Sequence, residues 1–335
     1  AWKYFSQRLI IEIKIKYYCT YFDINYSTQG ITLLRSLQKY SSSFKLFIFC
    51  MDKSSYSFLT NLDLLNVELI KIQDFEKDDK ALAKAKKNRS IVEYYFTCTP
   101  SIILYVLNNF ENIDQITYLD ADLFFYSDPN KVFLEIGDSS IAIIEHRYFK
   151  RYKKMIKYGI YNVGWMTFRN NKNAYQALSW WRNSCNEWCY KKLENGKYAD
   201  QKYLDNWEKK FTDVKIIKNK GANLATWNIE NYKIVKNYES IMIDDDSLVF
   251  FHFHGFKRLL FDFYTPGYSQ THATKIIRDQ IYKPYLSSYL KNHSISKNKY
   301  KKTLNVNQSG SFFNFMRKFL SLSYRILFSG NYVKK

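Results

Sequence analysis

Glycine and proline are scarce in this chain of 335 residues, ten and four respectively, which excludes collagen-like and low-complexity classes. No Gly-x-Gly-x-x-Gly and no Walker loop occurs, so a phosphate is not expected to sit in a glycine-rich turn. No uninterrupted apolar run exceeds six residues, so no transmembrane helix is expected, and no stretch reads as a signal peptide. The five cysteines are few and odd in number, and Cys185 and Cys189, four apart, lack zinc-finger spacing. Buried thiols in a reducing compartment are the expectation.

Acids are also short, 31 against 51 Lys and Arg, for a formal charge of +20. Residues 256–335 carry fifteen Lys/Arg and two Asp, a net of +13, so most of the excess lies in the last quarter. Such a patch suits an anionic surface, a membrane or nucleic acid. No nucleic-acid motif accompanies it, so nucleic acid is not the expected partner. What the chain has in plenty is aromatic residues, 19%, and length enough to bury a large core.

Strand and helix patterns alternate from Ile13. A strand ending at Thr20-Tyr21-Phe22-Asp23 precedes a helix with Ile31, Leu34 and Leu37. Strands over 44–51 and 67–72 follow, the first leading through Asp52 into another helix. This βαβαβ order predicts an α/β fold with a parallel sheet between helices, and such sheets bind ligands at the carboxyl ends of their strands. Thr20, Tyr21 and Asp23 therefore lie where a nucleotide would bind. Arg89 opens a long helical stretch that Pro100 is expected to divide or kink. The three tryptophans of 171–193 read as core.

Thr117-Tyr118-Leu119-Asp120-Ala121-Asp122 reads as a buried strand releasing two carboxylates at its tip, hard oxygen ligands for a divalent cation. The strand of 248–253 runs out as His252-Phe253-His254-Gly255-Phe256-Lys257-Arg258. A metal held by Asp120, Asp122 and one imidazole, with cations beside it, suits a bound diphosphate. Residues 147–158 hold six Lys/Arg and no acid, either a solvated face or a flap meeting an anionic acceptor or membrane.

The order of Thr20-Tyr21-Phe22-Asp23, Tyr118-Leu119-Asp120-Ala121-Asp122, Tyr161-Asn162-Val163-Gly164, Asp200-Gln201 and His252-Phe253-His254-Gly255 resembles the GT-A nucleotide-sugar glycosyltransferases of family 8, the glycogenin and lipopolysaccharide-galactosyltransferase type. The resemblance implies a Rossmann-like, mixed but mostly parallel sheet over 13–265, with 266–335 a basic helical appendage. It implies Mn²⁺ or Mg²⁺ at Asp120, Asp122 and His252, with Asp120 also near the ribose, and His254 a neighbour without a role. It places Thr20, Tyr21 and Asp23 at the base and ribose of a donor, UDP-sugar favoured, and Arg89 at the donor or in a structural salt bridge. Lys257 or Arg258 would bind phosphate, Asp200 and Gln201 would contact the transferred sugar, and Asn162 would line the reaction centre. Retention of configuration is implied; an inverting enzyme would need Glu145 or His146 as base.

Within the tail, 312–328 places cations on one arc and Phe312, Phe315, Phe319 and Leu320 opposite, an amphipathic helix suited to an anionic membrane interface. The expected function is therefore sugar transfer to a glycan or lipid-linked acceptor at the inner face of a bacterial membrane, in cell-surface polysaccharide synthesis. A sugar-nucleotide hydrolase or nucleotidyltransferase on the same metal site, or a basic nucleic-acid binder, are the competing readings.

Overall fold

The computed structural model describes residues 15–77, 79–258, 263–267, 274–303 and 333–334. The first strand, β1 (Lys16–Phe22), leads into α1 (Ser27–Tyr40), β2 (Phe44–Cys50), α2 (Lys53–Thr60) and β3 (Val67–Lys71). Asp52 starts α2 with a capping box, accepting from the Ser55 amide while Ser55 returns the bond to the Asp52 amide. Three helices follow, α3 (Ile72–Glu76), α4 (Lys80–Lys87) and α5 (Ile91–Asn109).

A second capping box, Ser90 with Glu93, starts α5. Pro100 does not divide it: the helix runs unbroken through the proline. Residues 97–104 are all buried there, so packing outweighs the one backbone hydrogen bond that proline removes.

The chain continues through β4 (Gln115–Leu119), β5 (Leu123–Phe125), α6 (Asn130–Ile136), β6 (Ile141–Glu145), β7 (Tyr161–Arg169), α7 (Lys172–Glu187), α8 (Trp207–Lys210) and β8 (Val214–Ile217). The main sheet has seven strands in the order β3-β2-β1-β4-β7-β6-β8. Strand β7 is antiparallel to both neighbours and every other pairing is parallel, so the expected mixed, mostly parallel α/β sheet is present. One core fills the face under α4, α5 and α7, with Phe49, Ile102, Ile116, Trp181 and Trp207. A second fills the face under α1 and α2, with Tyr18, Leu34, Ile48 and Trp165. All five cysteines are free and buried, as expected of structural thiols.

Strands β9 (Leu224–Ala225), β10 (Ile234–Lys236), β11 (Ile241–Ile243), β12 (Asp246–Ser247), β13 (Phe250–His252), β14 (Lys257–Arg258) and β15 (Phe263–Thr265) follow. Strand β13 lies between β5, antiparallel, and β9, parallel, in a small second sheet. A third core joins this sheet to the helical run α9 (Lys275–Ile277), a π-helical turn Arg278–Tyr282, and α10 (Lys283–Thr303). Phe253 stacks on Tyr285 with ring centroids 3.6 Å apart, and Asn292 Nδ2 donates to Thr32 Oγ1 of α1 at 3.0 Å. The described start of the basic C-terminal region is thus docked onto the domain. The amphipathic stretch 312–328 lies outside the described residues. No helix among the described residues is long and apolar enough to cross a membrane.

Candidate active site

Where β4 ends, the chain steps from the main sheet to the second one, and Asp120-Ala121-Asp122 makes that step. Asp120 N–H donates to the Gly164 carbonyl at 3.1 Å, and the Phe253 N–H donates to the Asp122 carbonyl at 2.9 Å. The register sets His252 opposite Leu123, one residue beyond Asp122. Backbone pairing therefore brings together residues 130 positions apart. His252 Nε2 lies 3.0 Å from Asp122 Oδ1 and 3.6 Å from Asp120 Oδ2. The ligand atoms of Asp122, His252 and His254 lie within 4.8 Å of one another.

Burial works to raise the Asp122 carboxyl, but the charge and hydrogen bond of His252 outweigh it and hold Asp122 below the usual range. Asp120 goes the other way, burial pushing it up to about 6 despite His252, with the Asp122 charge adding to the rise. Tyr118, two residues earlier on β4 and so on the same face, donates its hydroxyl to Asp120 Oδ1 at 2.8 Å. These oxygen and nitrogen donors on a rigid support fit a divalent cation.

The orientation of His252 is fixed from behind. The Gly164 N–H donates to Asn162 Oδ1 at 3.0 Å, which settles which end of that amide is oxygen. Asn162 Oδ1 then accepts from His252 Nδ1 at 3.3 Å, and Asn162 Nδ2 donates to His146 Nε2 at 3.2 Å. His146 Nδ1 donates in turn to the Ile160 carbonyl at 3.2 Å, and burial keeps this imidazole neutral with its pKa lowered to about 3. The chain of bonds leaves His252 Nε2 facing the carboxylates, the arrangement in which an imidazole binds a metal. Asn162 thus acts on His252 as well as lining the cavity.

Gly164 permits this approach. A Cβ there would sit 2.5 Å from Asn162 Oδ1 and 3.0 Å from the His252 ring. Gly164→Ala is therefore expected to displace both residues, weakening metal affinity on the order of tenfold to a hundredfold. Destabilisation by overpacking should be about 1–3 kcal/mol. Metal titration by calorimetry beside a denaturant melt would check it.

These groups open on a cavity of about 370 Å³, within the range of small-molecule sites. Tyr21, Asp120, His146, Asn162, Asp200, Gln201 and His252 line it, so the structure gathers seven of the expected residues. Asp200 is 5% exposed. Thr99 Oγ1 donates to its Oδ2 at 3.0 Å, and the core residue Trp181 donates its indole N–H to the Asp200 carbonyl at 2.9 Å. Burial, and then the charge of Asp120, push the Asp200 carboxyl up to about 7. Gln201 Nε2 donates to the Tyr158 carbonyl at 2.9 Å, tying this part of the cavity lining to the basic segment.

Other expected residues lie elsewhere. Thr20 is fully buried on β1, its neighbour Tyr21 taking the cavity face as strand alternation requires. The Asp23 carboxylate caps the turn after β1, accepting from the Asn25 and Tyr26 amides at 3.0 and 3.2 Å. Arg89 spans α5 and α7, donating to Thr97 Oγ1 at 2.9 Å and the Asn186 carbonyl at 2.8 Å, with its guanidinium over the Tyr190 ring. Glu145 points away from the cavity toward Lys218, 3.9 Å distant, while His146 lines it. Lys257 is exposed on β14, which pairs with β15.

Residues 150–158 form a 3₁₀ segment that buries Tyr152 and leaves Lys150, Lys153, Lys154 and Lys157 exposed. Tyr148, Met155 and Tyr158 line the cavity beneath it, together with Trp227, a position the sequence pattern did not single out.

No family model matches the chain. YfnD of Bacillus subtilis (strain 168), described as an uncharacterized protein, is 34% identical over 227 residues, 67% of this chain and 72% of YfnD. YfnF of the same organism, described likewise, is 30% identical over 250 residues, 72% of this chain and 81% of YfnF. Among solved structures, the galactosyltransferase LgtC in complex with donor and acceptor sugar analogs superposes with a TM-score of 0.51 at 14% identity, over 82% of this chain and 95% of that one. That likeness bears out the expected fold.

Proposed function

We propose a function for a chain that belongs to the family of the Bacillus subtilis proteins YfnD and YfnF and has the GT-A fold: it is a metal-dependent glycosyltransferase. It moves a sugar from a nucleotide-diphosphate donor, a UDP-sugar favoured, to a glycan or lipid-linked acceptor. The observation that carries this reading is the meeting of Asp120, Asp122 and His252 beside a cavity that Asp120 and His252 line together with Asp200 and Gln201. A cation, Mn²⁺ or Mg²⁺, would be held by the first three and would neutralise the diphosphate as it leaves.

The chain's own residues do the rest. Asn162 and His146 hold His252 in its binding tautomer, and Tyr118 orients Asp120. Tyr21 lines the side assigned to the nucleotide, and Asp200 and Gln201 meet the hydroxyls of the transferred sugar. Tyr148, Tyr158 and Trp227 offer apolar faces to a sugar ring and exclude water from the reacting carbon. Configuration is retained in this reading, and an anomer-resolved NMR spectrum showing the opposite product would overturn that part. The exposed cations of 150–157 and the basic C-terminal stretch fit an acceptor or membrane surface of negative charge, at the inner face of a bacterial membrane in polysaccharide synthesis.

A thermal-shift panel of nucleotide sugars with and without Mn²⁺ tests the reading. The right donor at a hundred times its Kd should add about 2.7 kcal/mol of stability, and only when metal is present. A glycosylated acceptor should then form. Free sugar as the sole product would favour the hydrolase reading, and no shift with any donor and metal would defeat both.

A further inference from the structure

We infer that His254 is a fourth protein ligand of the metal at Asp120, Asp122 and His252, so that two imidazoles and two carboxylates share the ion. The inference rests on the metal-dependent reading above and adds to it a residue and an ion preference. Three observations carry it. The His254 ring nitrogen belongs to the cluster in which the ligand atoms of Asp122, His252 and His254 lie within 4.8 Å of one another. The backbone gives the direction. Phe253 still bonds to Asp122 as a strand residue would, and its ring goes the opposite way, into the third core against Tyr285. The chain then turns at once: the Phe256 N–H donates to the Phe253 carbonyl at 3.0 Å, with His254 and Gly255, φ +75°, at the centre of the turn, and this turn leaves the His254 ring beside His252, centroids 5.9 Å apart.

Neighbours hold the ring in place. Trp227 sets one edge against His252, centroids 5.1 Å apart, and against His254, 6.0 Å apart, so one indole fixes the spacing of both imidazoles. Below, Gly267 lies so close to the His254 carbonyl that a Cβ there would come within 2.4 Å of it. The segment 263–267 thereby fixes the backbone that carries the ligand.

The chemistry follows from the donor count. With one atom from each of four residues, an ion that takes six donors would still have room for oxygens of a diphosphate. Imidazole nitrogen favours Co²⁺ and Zn²⁺ over Mn²⁺ and Mg²⁺, so a second imidazole adds more to the affinity for the former pair. Loss of His254 should therefore be selective among ions, whereas loss of a carboxylate should not.

The test uses the full chain and its variants His254→Ala, His254→Gln and His252→Ala, titrated calorimetrically with MnCl₂, CoCl₂ and ZnCl₂. The visible spectrum of the Co²⁺ complex reports its donor set. His254→Ala should weaken Co²⁺ and Zn²⁺ by about tenfold or more and Mn²⁺ by less than about threefold, and should change the Co²⁺ spectrum. His254 is exposed, so both of its variants should melt at the wild-type temperature. Wild-type affinities and spectrum in His254→Ala and His254→Gln, with binding lost in His252→Ala, would overturn the inference and leave the proposed function standing. A wild-type chain that binds none of the three ions would overturn both.

Discussion

Asp122→Asn should remove metal binding, and with it donor binding and turnover, while the protein stays folded. The Asp122 carboxylate is buried, 3.0 Å from His252 Nε2, and His252 holds it ionised against the cost of burial. A carboxamide of the same shape keeps the packing, and its NH₂ can donate to His252 Nε2. It brings no charge to a cation, and ions that take hard oxygen donors depend on that charge. Metal affinity should fall at least about a hundredfold, more than replacing a supporting residue behind a ligand does. Turnover should fall by on the order of a thousandfold, because the developing diphosphate charge would lose its counter-ion. The fold is spared because the Phe253 hydrogen bond that joins β13 to the loop uses the Asp122 backbone carbonyl, which the substitution leaves alone. Mn²⁺ calorimetry and a melting curve on one preparation check both halves. A variant that melts normally yet binds Mn²⁺ as the wild type does would remove Asp122 from the site.

Much of this site was legible because its parts sit at strand ends. Alternation along β4 relates Tyr118 to Asp120, and β13 delivers His252. The run of β1 to β3 is written in alternating apolar patterns that local packing obeys. Other features depend on contacts that sequence order does not encode. Arg89 looks like a donor contact by its place before Asp-x-Asp, yet its partners, Thr97 and the Asn186 carbonyl, are set by how α5 meets α7. Glu145 and His146 are adjacent, so one of them must face away. The register shift between β6 and β7 near Ala142 and Ile144 hides which. Thr99 holds Asp200 across 101 positions, and nothing around Pro100 signals it. The docking of α10 was also hidden, since a lysine-rich helix reads as solvated until Tyr285 and Leu286 are seen in the third core and Asn292 on Thr32 of α1.

Asp200→Asn should make the protein more stable above neutral pH and at the same time nearly inactive. Burial, then the Asp120 charge, push the Asp200 carboxyl from 3.8 up to about 7. The folded pKa is raised, so the contribution to stability is complete below the unfolded value of 3.8. It is lost progressively as pH rises and is gone above about 7. A rise from 3.8 to about 7 corresponds to about 4 kcal/mol of destabilisation at pH 8, taken as an order of magnitude. Asparagine has no charge to bury and its oxygen can keep the Thr99 hydrogen bond, so the variant escapes that cost. The gap in melting temperature between variant and wild type should open above about pH 4, at least double between pH 5 and pH 8, and reach several degrees. Asparagine that melts lower than wild type at pH 8 would contradict the account. Activity should move the other way, falling on the order of a hundredfold if the carboxylate meets the transferred sugar as it acquires positive charge. A residue that destabilises its own fold at working pH, when a neutral isostere would fit the same hydrogen bonds, is expected to have a role in the cavity, and the activity readout tests it. The opposite signs of the two readouts separate that role from a structural one, because a carboxylate kept for packing would lose both together.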